Sequence, residues 1–196
     1  MVWVYVCHNT YAQTDTLEEK TLDNLVISAN KWEQKLNEVP NKIVKINKFE
    51  ILRNNPQTSA DLLGQSGSVF IQKSQLGGGS PMIRGFATNR VLLVADGVRM
   101  NNAIYRSGNL QNVISIDPLS VESAEVIFGP GSLIYGSDAI GGVMDFHTLE
   151  PRFSTDKKTL AKGSVLGRYS TANKEKTIHA DINLGWQKWA LLSSFS

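Results

Sequence analysis

A chain of 196 residues, 41% apolar and 19% charged, is long enough for one or two domains with a real core, and too balanced to be disordered, collagenous or a coiled coil. Its 20 Lys+Arg against 18 Asp+Glu leave a net charge of +2, too small to imply nucleic acid, and the lone Cys7 excludes an intrachain disulfide framework or a CxxC zinc site. No apolar run reaches the roughly 18 residues of a membrane-spanning helix; spanning strands, which need only about 9 to 11 residues each, are not excluded.

Thirteen of the sixteen glycines fall between Gly64 and Gly142, a stretch whose cations are all Arg apart from Lys73, while the flanks are Lys-rich and Gly-poor. Three zones follow: an N-terminal extended tail to about residue 40, a glycine-punctuated body (41–150), and a C-terminal piece of alternating pattern (151–196). Residues 1–12 carry a short apolar run, Val2 to Cys7, and then Thr10-Tyr11-Ala12. Lacking a basic start and a longer apolar core, they amount at most to the remnant of an export signal, with a frayed start as the equal alternative. Within 13–40, Asp23-Asn24-Leu25-Val26-Ile27-Ser28-Ala29 is a β-prone island in polar surroundings. It suits addition to the sheet edge of a partner or, as pattern alone favours, an edge strand of the protein's own sheet.

The body reads as α+β. Lys42 to Ile46 alternates as a strand, and Asn47 with Glu50 forms a capping pair for a short helix ending before Asn54-Asn55-Pro56. Thr58 and Ser59 cap a second helix through Leu63, closed by Gly64 and Gly67. Ser68 to Lys73 alternates again. Val91 to Ala95, then Asp96-Gly97, then Val98 to Met100 is a hairpin signal, because Asp-Gly supplies the positive φ of a two-residue turn. Ala124 to Phe128 reads as a strand ended by Gly129-Pro130-Gly131.

Catalytic chemistries find little support. Gly77-Gly78-Gly79-Ser80-Pro81 is not followed by GK[ST], and GxGxxG and GxSxG are absent. His8, His147 and His179 are too scattered for a ligand set, and Glu122 with Glu125 fits a helix surface or ion pairing better than acid/base work. The expectation is therefore no enzyme and no cofactor. In the last zone Ile178, Ala180, Ile182, Leu184 and Trp186 alternate with His179, Asp181, Asn183 and Gly185. A strand between lipid and a wet lumen needs this pattern, and a half-buried soluble sheet shows it equally. Gly163 to Ser170 is a weaker version, and a third strand begins at Trp189.

The runs MIRGFATNRVLLVADGVRMNN (82–102) and VESAEVIFGPGSLIYGSDAIGGVMDFHT (121–148), with ADLLGQSGSVFIQ (60–72), resemble the plug domain of TonB-dependent outer-membrane receptors. The island at Asp23 to Ala29 sits where that family keeps its TonB box. The resemblance covers about residues 21–196, and NNAIYRSGNLQNVISIDP (101–118) is reminiscent of the heme or hemoglobin branch.

The resemblance implies an α+β plug domain, a mixed β-sheet with short helices, followed by the opening antiparallel strands of a transmembrane β-barrel that the sequence leaves incomplete. It implies import of an iron-siderophore or heme across the outer membrane of a Gram-negative bacterium, with TonB, membrane lipid and that ligand as partners and no nucleic acid. Asp23, Asn24, Leu25, Val26, Ile27, Ser28 and Ala29 would contact TonB. The loops holding Gly77, Gly78, Gly79 and Ser80, and Asn101, Asn102, Tyr105 and Arg106, would face the substrate. Arg84 would lock plug to barrel through acids of the wall, although Phe128 stands where the family often has a second Arg. The competing reading is a soluble periplasmic or secreted α+β ligand-binding module, with Ile178 to Trp186 packed on a core.

Overall fold

The computed structural model describes residues 25–26, 34–73, 79–87, 90–100, 112–155, 158–171 and 174–196. In chain order, Leu25–Val26 (β1) pairs antiparallel with Gln34–Lys35 (β2), and Ile43–Asn47 (β3) leads into helices Lys48–Asn54 (α1) and Ser59–Gln65 (α2). Phe70–Lys73 (β4), Gly79–Ile83 (β5) and Phe86–Ala87 (β6) form a small antiparallel sheet. Val91–Ala95 (β7), Val98–Arg99 (β8), Val121–Phe128 (β9), Ser132–Tyr135 (α3) and Gly142–Thr148 (β10) complete the body. Leu160–Ser170 (β11), Glu175–Gly185 (β12) and Ala190–Phe195 (β13) make a separate antiparallel sheet.

The central sheet has the order β3-β9-β10-β7-β8, with β10 antiparallel to β9 and parallel to β7. Both of its faces are covered, which is why Val91 to Val94 is an unbroken apolar run rather than an alternating one. On one face Val91, Leu93, Val126, Met144 and Phe146 pack against Ile51, Leu62 and Leu63 of the helices. On the other, Leu92, Val94, Ile127 and Val143 meet Tyr135, Ala139 and Val26. Each fully buried Val, Leu or Phe here contributes roughly 1.5 to 3 kcal/mol of transfer free energy.

Local chemistry explains the boundaries. The Asn47 amide donates to Glu50 Oε2 at 3.0 Å at the start of α1, and Thr58 Oγ1 accepts from the Asp61 amide at 3.2 Å at the start of α2. Asp96 and Gly97 have φ of 48° and 80°, the turn that joins β7 to β8.

Four expectations change. Helix α2 continues through Gly64 to Gln65, where Leu62 and Leu63 bury against the sheet and override the glycine signal. Glu122 and Glu125 lie on strand β9, not on a helix; the ion pairing expected of them holds. Gly79, Ser80 and Pro81 are buried in β5, paired with β4, rather than displayed on an open loop. The tail is not extended throughout: β1 folds back on β2, and Val26 is fully buried in the second core cluster. Strand β10, the centre of the sheet, is buried on both faces from Gly142 to Phe146, with the charged Asp145 among its buried residues.

Candidate functional site

The β11–β13 sheet has two contrasting faces. Val165, Tyr169, Ile178, Ile182, Leu191 and Phe195 point away from the body and are 57% to 80% exposed. They form a continuous apolar surface on a sheet whose other face is polar, an arrangement that suits hydrocarbon on one side and water or protein on the other. Trp186 and Trp189 stand at one end of it, both exposed.

The inward face grips the body at three points. Arg168, on β11, donates to the Pro56 carbonyl at 2.8 Å and to Asn55 Oδ1 at 3.2 Å, and pairs with Glu175 at 2.5 Å. Asn55 can meet it because it ends α1 in the left-handed conformation, with φ 47°. Asn183, on β12, clamps the linker between β10 and β11 twice: its Oδ1 accepts from the Arg152 amide at 2.9 Å and its Nδ2 donates to the Arg152 carbonyl at 3.1 Å. His179, 3% exposed, has Nδ1 2.7 Å from Ser196 Oγ, and that hydroxyl donates in turn to Asp117 Oδ2. Asp117 is held by its own local bonds, accepting from the Leu119 amide at 3.0 Å and from Ser120 Oγ at 3.3 Å. These polar contacts join the β11–β13 sheet to the body.

The residues expected to act at the site are distributed differently. Arg84 lies exposed in the β5–β6 turn with φ 49°, its guanidinium 5.5 Å from the centre of the Phe128 ring. Among the described residues it makes no ion pair. Phe128, which stands where a second Arg was expected, accepts two cations on its ring, Arg84 and Lys42 at 5.4 Å. Of the expected TonB-contact residues, Leu25 and Val26 form β1, while Asp23, Asn24, Ile27, Ser28 and Ala29 lie outside the described residues. Gly77, Gly78, Asn101, Asn102, Tyr105 and Arg106 lie outside them as well. Sequence reasoning missed Arg168, Asn183, His179 and Asp117 as a contact set. Only the dyad repeat, which puts His179 and Asn183 on one face, hinted at it.

Residues 35–143 match the family described as TonB-dependent Receptor Plug Domain. The chain belongs to that family. Its plug is the α+β body, and β11–β13 follow it directly.

A vitamin B12 transporter of Vibrio vulnificus strain CMCP6 is 40% identical to the chain over 182 residues, 88% of this chain and 28% of the transporter. A hemin receptor of Yersinia pestis is 30% identical over 142 residues, 72% of this chain and 20% of the receptor. The pyoverdine outer-membrane receptor of Pseudomonas aeruginosa PAO1 superposes with a TM-score of 0.60 at 14% identity, over 81% of this chain and 22% of the receptor, which shows the shared fold. The chain thus spans about a quarter of the length of the curated relatives it matches. Those relatives are named as transporters and receptors, not enzymes.

Proposed function

We propose that the protein acts as a TonB-dependent active transport receptor in the outer membrane of a Gram-negative bacterium, the plug gating the lumen of a barrel that begins at β11. The observation that carries this is the β11–β13 sheet, apolar and exposed outward and bonded to the plug inward through Arg168, Asn183 and His179. A soluble binding module would bury the outward row of Val165, Tyr169, Ile178 and Ile182, which here stays exposed.

The two sequence relatives are named for vitamin B12 and hemin, both metal-centred tetrapyrroles, which supports a substrate of that class and keeps heme ahead of an iron-siderophore. In this reading the loops with Gly77, Gly78, Asn101, Asn102, Tyr105 and Arg106 meet the substrate, Arg84 meets acids of the wall, and Asp23 to Ala29 adds as a strand to TonB. That last step requires β1 to leave β2 and Val26 to leave the core.

The experiment is deletion and restoration of the full-length gene, with growth on heme as sole iron source and uptake of labelled vitamin B12 as readouts. Restoration of one uptake, and its loss when TonB is also deleted, is expected. Uptake that persists without TonB, or protein recovered from the soluble periplasmic fraction, overturns the proposal.

A further inference from the structure

A cavity of about 490 Å³ opens beside the β7–β8 turn, lined among others by Asp96, Tyr135, Asp145, His147, Leu149 and Glu150. Its floor belongs to the central sheet. Asp145 is 4% exposed and stands directly across the ladder from Glu125, which is fully buried. Like charges facing each other in a sheet are unfavourable, and Lys45, 3.4 Å from Glu125 on the next strand, compensates Glu125.

Asp145 keeps weaker partners. Tyr135 donates its hydroxyl to Oδ2 at 3.4 Å, and His147 Nε2 is 3.9 Å from the same oxygen. Asp145 Oδ1 and His147 Nε2 are both buried without a hydrogen-bond partner. Asp96 is engaged elsewhere, accepting from the Thr148 amide at 2.8 Å and the Thr148 hydroxyl at 2.7 Å. One carboxylate oxygen is therefore left uncompensated at the wall of a cavity, and an unmade interaction of that kind costs free energy in the empty state.

We propose that this cavity is a binding site for a guanidinium or ammonium group on an aliphatic stem, the basic side chain of a peptide segment. The cationic head pairs with Asp145 Oδ1, its remaining donors reach His147 Nε2 in the accepting tautomer and Glu150 at the rim, and the stem lies along Leu149, Pro151 and the Tyr135 ring. The cavity is far larger than a single ion, and among the described residues no cluster of three or more His, Cys, Asp and Glu is placed to hold a metal.

The groups around Asp145 also set its pH dependence. Burial first, and then Glu125 and Asp96, raise its carboxyl to about 6, while His147 and the Tyr135 hydroxyl act to lower it. With Lys45 behind Glu125 and Glu150 at the mouth, these are the charged and titratable neighbours from β3, β9, β10, α3 and the β7–β8 turn. A cation binds the ionised form, so affinity falls as pH drops below about 6.

The test is calorimetric titration of the detergent-solubilised full-length protein with N-acetylargininamide at pH 7.5 and pH 5, with N-acetylcitrullinamide as its neutral counterpart. Saturable binding of the arginine probe only, weakened about tenfold at pH 5 and at least tenfold by Asp145→Asn, is expected. Asp138→Asn, which alters a carboxylate paired with Arg99 outside the cavity, leaves binding unchanged. Equal binding of the citrulline probe, or equal binding by a folded Asp145→Asn protein, overturns the proposal, as does no binding at either pH. The source of the natural occupant is read from Lys20→Gln with Lys31→Gln. Tighter probe binding in that variant assigns the site to the protein's own tail, and unchanged binding assigns it to a basic segment other than the tail; both support the site.

Discussion

Glu125 and Asp145 face each other directly on the β9–β10 ladder, 0% and 4% exposed, at the centre of the five-stranded sheet. The burial that raises the Asp145 carboxyl to about 6 has a consequence for stability. The unfolded chain ionises this group near its ordinary value of 3.8, so between about pH 4 and 6 the folded state holds a proton that the unfolded state has lost. The stabilisation is present below about pH 4 and disappears as pH rises through 6, an effect of at most about 3 kcal/mol.

Asp145→Asn keeps the shape and removes the buried charge. Stability at pH 7 is expected to rise by roughly 1 to 3 kcal/mol, with the slope between pH 4 and 6 flattened, in urea unfolding in detergent. An unchanged slope would show that Asp145 ionises normally in the fold.

Arg168 joins the β11–β13 sheet to the plug through a fork that donates to Pro56, Asn55 and Glu175. Arg168→Ala is expected to cost about 1 to 3 kcal/mol, since it removes the ion pair with the partly exposed Glu175 and the donors that reach Pro56 and Asn55. Arg168→Lys recovers less than half of this, because one ammonium cannot span the same acceptors. Proteolysis around Asn55 should accelerate in both variants; full protection in Arg168→Lys would mean that charge alone suffices.

Gly185 is where the linker presses on strand β12: a Cβ added there would overlap the Arg152 carbonyl oxygen and sit 3.2 Å from the Ser154 nitrogen. Gly185→Ala must push the linker off Asn183, at a cost of roughly 1 to 3 kcal/mol. Hydrogen exchange reports it, with the Arg152 and Ser154 amides losing protection. Retained protection at both positions would refute the close approach.

Val26 links the tail to the core. Val26→Ala removes two buried methyl groups and is expected to cost about 1 to 2.5 kcal/mol of docking. If TonB captures the tail after β1 leaves, the same change raises the competent fraction and tightens binding of the TonB C-terminal domain several-fold. Val26→Pro, which removes a ladder donor, abolishes it. Weaker binding by Val26→Ala would argue that TonB reads the side chain and not the released strand.

Much of the architecture was legible because local rules decided it. The Asp96-Gly97 turn needs positive φ, Asn47 and Thr58 open helices, and the dyad repeat from Ile178 to Trp186 puts His179 and Asn183 on one face. These signals act within a few residues. Strand β10 was less legible: Gly142 to Phe146 are buried with the charged Asp145 among them, and the direction of the strand depends on its pairing with β7 and β9.

The sequence by itself determined the family, the order of the plug and the alternating strands after it, and which residues along those strands share a face, since periodicity is a property of the chain. The tertiary structure alone decided that Val26 is core, that Gly79 to Pro81 form a strand, that Arg168 and His179 hold the plug, and that Asp145 stands opposite Glu125 at the wall of a cavity. The contact of Arg168 with Pro56 spans 112 positions and the pairing of Asp145 with Glu125 joins separate strands. Such relations depend on register and on which elements pack together, and no local pattern records either.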